Sequence, residues 1–337
     1  MAATLLRRLQ PVLALLVALA MLLVAAPAAQ AAPDDEGGSK TLRAALESAA
    51  KGHVEAKNDL ENSKKRQKLL TVQLARAKQK STALQGRVGE VANRSYRQGR
   101  FTTMTMLLNS ASPDAFMERA MRLDQMARVD GKTLAGYREA VVAAEQAKLG
   151  IDREIKQQKK QVTIMAKKKV EAEQALAASG GGAAAGGFIN ANSPLAKPAP
   201  RNSDGSWPKE SCTVDDPSEG DGCITPRTLH AYQQARAAGF KRYTACFSKR
   251  SSGEHPKGRA CDFAAASGGF ENVNASGGDR TYGNNLAAYY VKNASRLGVM
   301  YVIWYRQIWH PGTGWKSYGG SGGPAATHTN HVHLSVL

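Results

Sequence analysis

Ser252-Gly253-Glu254-His255-Pro256-Lys257-Gly258-Arg259-Ala260-Cys261-Asp262 and, later in the chain, Thr327-His328-Thr329-Asn330-His331-Val332-His333 are the two stretches on which the reading of this sequence turns. His255 is expected on a loop and Asp262 on the strand that follows. Gly258 stands between them, where the backbone must turn without a side chain in the way. Residues two apart on a strand share a face, so His331 and His333 should enter one site together. Imidazole plus carboxylate suits zinc, and three protein ligands with an open fourth position describe a catalytic rather than a structural site. The ligands are therefore read as His255, Asp262 and His333. No His-Glu-x-x-His helix is present, which excludes the common helical zinc-protease arrangement. Two competing readings are a thiolate ligand at Cys261, whose neighbour Asp262 would then face the other way, and a degenerate site that kept the fold and lost the metal.

The pattern His-x-x-Gly-x-Ala-x-Asp with a late His-x-His is carried by His255, Gly258, Ala260, Asp262, His331 and His333. It resembles the zinc D-Ala-D-Ala peptidases and the related lysostaphin-type and Hedgehog-type metal sites. That resemblance implies a peptidoglycan-peptidase fold and the same three zinc ligands. From Cys212 onward, with Tyr301-Val302-Ile303-Trp304 and Asn330-His331-Val332-His333, the chain is similar to a secreted actinobacterial domain that often follows a coiled coil. One departure matters. Many D-Ala-D-Ala peptidases place a catalytic glutamate shortly before the final histidine ligand, and residues 319–333 contain no acid. His331 or His328 is expected to handle protons instead, because a neutral imidazole beside a metal accepts the proton of bound water or stabilises an oxyanion.

Around these stretches, residues 207–337 read as a small α+β domain with a partly antiparallel sheet. Thr225-Pro226 gives an N-cap and a first-turn proline for a helix reaching Gly239. Strands are expected at 243–247, 259–264, 300–308 and 331–336, and a helix at 285–297. Cys212 with Cys223, and Cys246 with Cys261, form the simplest of three disulfide pairings. The acidic loop 215–221 lacks EF-hand spacing and reads as a solvated turn. Trp304, Tyr305, Trp309, Trp315 and Tyr318 read as core, with those beyond Ile308 also candidates to wall a cleft. Arg250 and Arg259 are candidates to hold a peptide carboxylate.

Upstream, residues 179–206 are rich in Gly, Ala and Pro and read as a flexible linker. Residues 41–178 have the composition of long helices. Leu70, Leu74, Ala77, Ser81, Leu84, Val88 and Val91 form one heptad seam. Leu134, Tyr137, Val141, Ala144, Lys148, Ile151 and Ile155, continued by Val162 and Met165, form another. Turn chemistry at 109–114 between the seams predicts a coiled-coil hairpin, against the alternative of a dimerising coil. Met104, Met106, Leu107, Leu108, Phe116, Met117, Met121, Leu123 and Met126 gather near the bend, as a partner site for a membrane or divisome protein or as a small local core.

Residues 1–31, with Arg7-Arg8, an apolar run and Ala29-Gln30-Ala31, read as a signal peptide, and 32–40 as a short linker. A retained membrane anchor is the competing reading. Export makes disulfides the natural state of four cysteines. The net charge of +18 over 337 residues then points to anionic wall polymers rather than nucleic acid, for which no binding motif is present. The expectation is a secreted, extracytoplasmic, cell-wall-associated protein. Its function is read as a zinc-dependent peptidoglycan peptidase positioned or gated by a coiled coil. The alternative is a non-enzymatic wall or divisome adaptor that binds peptidoglycan or activates another hydrolase.

Overall fold

A computed structural model describes residues 39–218, 221–319 and 321–337. The signal-peptide assignment lies outside the described residues. Among them, no helix is long and apolar enough to cross a membrane.

Two long helices, α1 (Lys40–Leu108) and α2 (Pro113–Ala178), are joined by a short turn. Ser112 caps α2 by accepting from the Ala115 amide at 3.2 Å, with Pro113 in the first turn where its missing N–H costs nothing. The chain divides into two compact units, one of which comprises Glu55–Lys167 with Asn202–Ser206. In it the first seam packs as read: Ala77 is buried and its seam partners half-buried among exposed neighbours. The seams meet within one chain, through Ser63 and Arg66 on Glu154, Gln158 on Gln67, and Arg94 on Asp130. The second seam differs from its reading. Lys148 and Val162 are exposed, whereas Ala140, Ala147 and Gly150 are buried. A Cβ at Gly150 would come within 3.0 Å of Leu70, and one at Gly136 within 3.4 Å of Leu84. Leucines of α1 thus seat against the smallest residues of α2, and a pattern built on large apolar residues misses such positions. At the methionine-rich tip, Met104, Met106, Leu108, Phe116, Met117 and Met121 are exposed, while Leu107, Leu123 and Met126 are half-buried.

The other unit contains residues up to Val54, Lys168–Arg201 and Trp207–Leu337. Its elements after α2 are β1 (Val214–Asp215), β2 (Cys223–Ile224), α3 (Pro226–Ala237), β3 (Thr244–Ala245), a single 3₁₀ turn at His255–Lys257, β4 (Ala260–Ala264), α4 (Gly277–Lys292), α5 (Ala294–Leu297), β5 (Val299–Trp304), β6 (Gln307–His310), β7 (Gly314–Ser317) and β8 (His331–Val336). The main sheet has the order β3-β4-β8-β5-β6-β7, with every described pair antiparallel. The strand expected at 300–308 is a hairpin, β5 and β6, turned by Tyr305 and Arg306 at φ 50° and 61°. Non-glycine residues in that region are uncommon, so the sequence carries no turn signal there.

Alternation along the strands separates two cores. Cys261, Phe263, Val302, Trp304, Val332 and Leu334 face helices α3 and α4. On the opposite face Met300, Tyr301, Ile303, Ile308 and Tyr318 pack with Leu42, Leu46, Ala49 and Ala50 of α1 and Ala172 and Leu176 of α2. The C-terminal domain therefore does not end at Trp207; its second core is completed by the bases of both long helices.

The segment read as a flexible tether is likewise packed. Gly182 donates to the Ser317 carbonyl at 3.0 Å, and Ser317 donates back to Ala183 at 2.8 Å, so this stretch covers the otherwise open edge of β7. Phe188 meets Trp315 edge-on, and Ala196 donates to Asn293 Oδ1 at 2.8 Å. Gly/Ala composition implies flexibility only where no backbone edge is available; here the small side chains let the segment lie flat.

Candidate metal centre

β4 and β8 place the site. Asp262 pairs with His333 in register, and Ala264 with His331, so Asp262, His331 and His333 project from the same sheet face. His255 reaches this face from the 3₁₀ turn, which ends at Gly258 in a left-handed conformation, φ 67°. Both disulfides, Cys212–Cys223 and Cys246–Cys261, are formed. They fit an oxidising, extracytoplasmic compartment. Cys261 is thereby committed to a disulfide and faces the helix-side core, which removes the thiolate-ligand alternative.

The three predicted ligands are brought together. His255 Nε2 lies 3.2 Å from Asp262 Oδ2 and 3.3 Å from His333 Nδ1, and His333 Nδ1 lies 2.9 Å from Asp262 Oδ1. Among the described residues this is the one group of three or more His, Cys, Asp or Glu side chains with ligand-like clustering. Zinc bonds to N and O of about 2.0–2.2 Å imply a tetrahedral edge of roughly 3.3 Å. The two histidine nitrogens stand at that edge from one another, and each lies within a few tenths of an ångström of it from a different Asp262 oxygen.

Hydrogen bonding sets the donor atoms. His255 Nδ1–H donates to the Cys246 carbonyl, leaving the Nε2 lone pair to face His333 and Asp262. Two imidazole nitrogens and a carboxylate then converge in a volume with almost no solvent access: His255 is 1% exposed, Asp262 and His333 0%. The donor set fits a divalent cation. With no cation bound, burial works against the Asp262 charge, but His255 and His331 in their protonated forms, and hydrogen bonds from protonated His255 and His333, outweigh it and hold the carboxyl well below its ordinary range; a cation would replace those protons.

Of the two predicted proton-handling residues, His331 donates from Nδ1 to Asn330 Oδ1 at 2.8 Å and turns Nε2 towards Asp262 Oδ1, 3.6 Å away. Burial lowers its pKa to about 4, with Asp262 pulling the other way and His333 and His255 adding to the drop. His328 stacks 4.7 Å from His331, ring centre to ring centre. Both its ring nitrogens are buried without a hydrogen-bond partner. Its backbone has φ 52°, and its carbonyl accepts from Tyr305 at 2.7 Å. A left-handed histidine beside the tight Tyr305-Arg306 turn is the kind of backbone strain that collects at functional sites.

Arg250, read as a candidate to hold a peptide carboxylate, lies at the cluster, and two further neighbours escaped the sequence reading. Arg250 Nη2 reaches Asp262 Oδ2 at 3.4 Å, Tyr301 stacks on His333, and Ser335 Oγ lies 2.8 Å from His333 Nε2. The strand period marks Ser335 as a same-face neighbour of His333; nothing local marks Tyr301 as a stacking partner. Arg259 is not at the metal centre: it pairs with Glu254 at 2.5 Å and with Glu47 of α1. The aromatics sit in or against the two cores. Trp304 and Tyr318 are buried, and Trp315 packs on Phe188. Asp216 of the acidic loop is satisfied by the amides of Ser218 and Phe247.

The base of α1 lies over this sheet face. Leu42 and Leu46 pack with Ile303, the register partner of His333. Arg43 donates to Ser252 at 2.7 Å, and Glu47 pairs with Lys257 at 2.7 Å, just after His255.

A protein-family model described as the VldE C-terminal domain matches residues 220–329, about a third of the chain. The matched span includes His255, Asp262 and His328 and ends before His331. No curated protein matches the chain, and no solved structure does.

Proposed function

We propose that this chain is a secreted, zinc-dependent peptidase of peptidoglycan peptides, held closed by the base of its own helical hairpin. The observation that carries the reading is the convergence of His255 Nε2, the Asp262 carboxylate and His333 Nδ1 at separations of 2.9–3.3 Å. The antiparallel sheet, with the His/Asp cluster on one face and α3 and α4 on the other, is compatible with a zinc D-Ala-D-Ala peptidase or Hedgehog-like fold. Zinc bound there would polarise the scissile carbonyl and lower the pKa of a water molecule. The protein's own groups do the rest. Three ligands leave a fourth position for water or substrate. His331, with Nδ1 committed to Asn330, keeps its Nε2 lone pair on the ligand face and accepts a proton there. His328 flanks it, and the Arg250 guanidinium offers positive charge beside the ligands.

Leu42, Leu46 and Glu47 act as the cover in this reading, so the form described here is the resting one. The exposed tip serves a membrane or divisome protein, and the positive charge holds the chain near anionic wall polymers. The adaptor reading has one observation of its own: a ligand set buried to 1% or less in a chain without an acid in 319–333. Mass spectrometry of peptides released from isolated walls separates the two. Zinc-loaded wild type should release fragments, Glu47→Ala should release them faster, and Asp262→Asn should release none. No zinc-dependent product from wild type or Glu47→Ala would favour the adaptor.

A further inference from the structure

We infer that Ser335 is a positioning residue for the metal centre: its hydroxyl holds the His333 proton on Nε2, so that Nδ1 is the ligating nitrogen. The inference rests on the metal-centre reading above and deepens it. Ser335 follows His333 by two positions on β8, which puts both on the ligand face. It is fully buried, and its Oγ is 2.8 Å from His333 Nε2. A neutral imidazole carries one proton, and whichever nitrogen donates leaves the other as the lone pair. With Nε2–H donating to Ser335, the Nδ1 lone pair points at His255 Nε2 and the Asp262 carboxylate, the only arrangement in which all three groups present electrons to one cation.

Two further features keep the ring from turning away. Tyr301, the register partner of Ser335 on β5, stacks on the His333 ring at 5.6 Å with an interplanar angle of 10°. Asp262 sits directly across β8 from His333, so a metal held by Nδ1, the nitrogen nearer the backbone, stays within its reach. The Cys246 carbonyl plays the corresponding part for His255 from the opposite ring nitrogen. The two histidines are thus presented by different atoms, Nε2 and Nδ1, because their anchors lie on different sides. Without the Ser335 hydroxyl, His333 is free to place its proton on Nδ1 and donate it to Asp262, which removes two ligand atoms at once.

Partners that orient a metal-bound histidine change metal affinity by about 10- to 100-fold when removed. Zinc affinity of the full-length chain, measured by competition with a chromophoric chelator, should fall by that factor in Ser335→Ala and stay within about threefold of wild type in Ser335→Thr, which keeps the hydroxyl. Nitrogen-15 NMR of the zinc-loaded wild type should show His333 protonated on Nε2 with Nδ1 bound to metal. This readout does not depend on how well a variant folds. Ligation through Nε2, or wild-type affinity in a folded Ser335→Ala, overturns the inference while leaving the metal centre intact. A wild-type chain that binds zinc no better than His333→Ala overturns the metal-centre reading, and the inference with it.

Discussion

Leu46 is 2% exposed and lies between the two parts of the chain that composition separates. It sits on the first turns of α1, yet its packing partners include Met300, Ile303 and Ile308 of the sheet. Truncation to alanine removes buried methyl groups and leaves a void, at a cost of about 2–5 kcal/mol for leucine. The surroundings favour the upper half of that range. Ala49, Ala50 and Ala172 are too small to fill the space, and the facing strands are held in register by the sheet. Alanine is the better helix former, so propensity works slightly against the loss and what remains is packing. About 4 kcal/mol is expected, or roughly 8–16 °C in Tm for a unit of this size. Urea unfolding followed by the fluorescence of Trp304, Trp309 and Trp315 reads this directly, with Leu149→Ala, 61% exposed in the hairpin, as a near-neutral control. A loss below about 1 kcal/mol with an unchanged m-value would refute the reasoning, and residues 207–337 would then be a self-sufficient domain.

Gly258→Ala should destabilise this unit by about 2–4 kcal/mol and weaken zinc binding, since φ is 67° and a Cβ would come within 2.5 Å of Cys212 Sγ and 2.7 Å of the Cys223 carbonyl; calorimetry and metal competition check the pair. Burial, then the nearby His53, lowers the His310 pKa from 6.5 to about 3 against an opposing hydrogen bond that the ring donates to the Leu46 backbone. The unfolded chain therefore binds the extra proton first, and the contribution of His310 is complete above pH 6.5 and lost as pH falls towards 3, by at most about 4–5 kcal/mol. His310→Asn should flatten the stability-versus-pH slope in that window; an unchanged slope would show that His310 is not buried neutral. His331→Ala should keep most of the bound zinc and lower turnover, whereas equal metal loss in His331→Ala and His333→Ala would make His331 a ligand.

The His/Asp cluster was legible because strand period and spacing are local. Asp262, His331 and His333 follow from alternation, and the Gly258 turn brings His255 to them. Thr225 caps α3 as its sequence implies, accepting from the Thr228 amide at 3.2 Å. What escaped the sequence depends on partners far along the chain. Leu42 and Leu46 belong by period to a helix stripe, but nothing in that period says that the stripe faces β5 rather than α2 alone. Residues 181–188 have a linker's composition and are ordered by the free edge of β7. The Tyr305-Arg306 turn lacks glycine and asparagine, and is held from outside by the carbonyls of His328 and Thr327. Ala147 and Gly150 replaced Lys148 at the hairpin seam because close approach of two helices selects for small residues, which a hydrophobicity pattern does not weigh.

The central claim is the metal centre, and elemental analysis of the purified full-length chain after equilibration with limiting zinc tests it most directly. The account predicts one zinc per chain in the wild type, lost together in His255→Ala, Asp262→Asn and His333→Ala while the far-ultraviolet spectrum of each variant stays helical and folded. A wild-type chain without bound zinc, or zinc that survives all three substitutions, would contradict it.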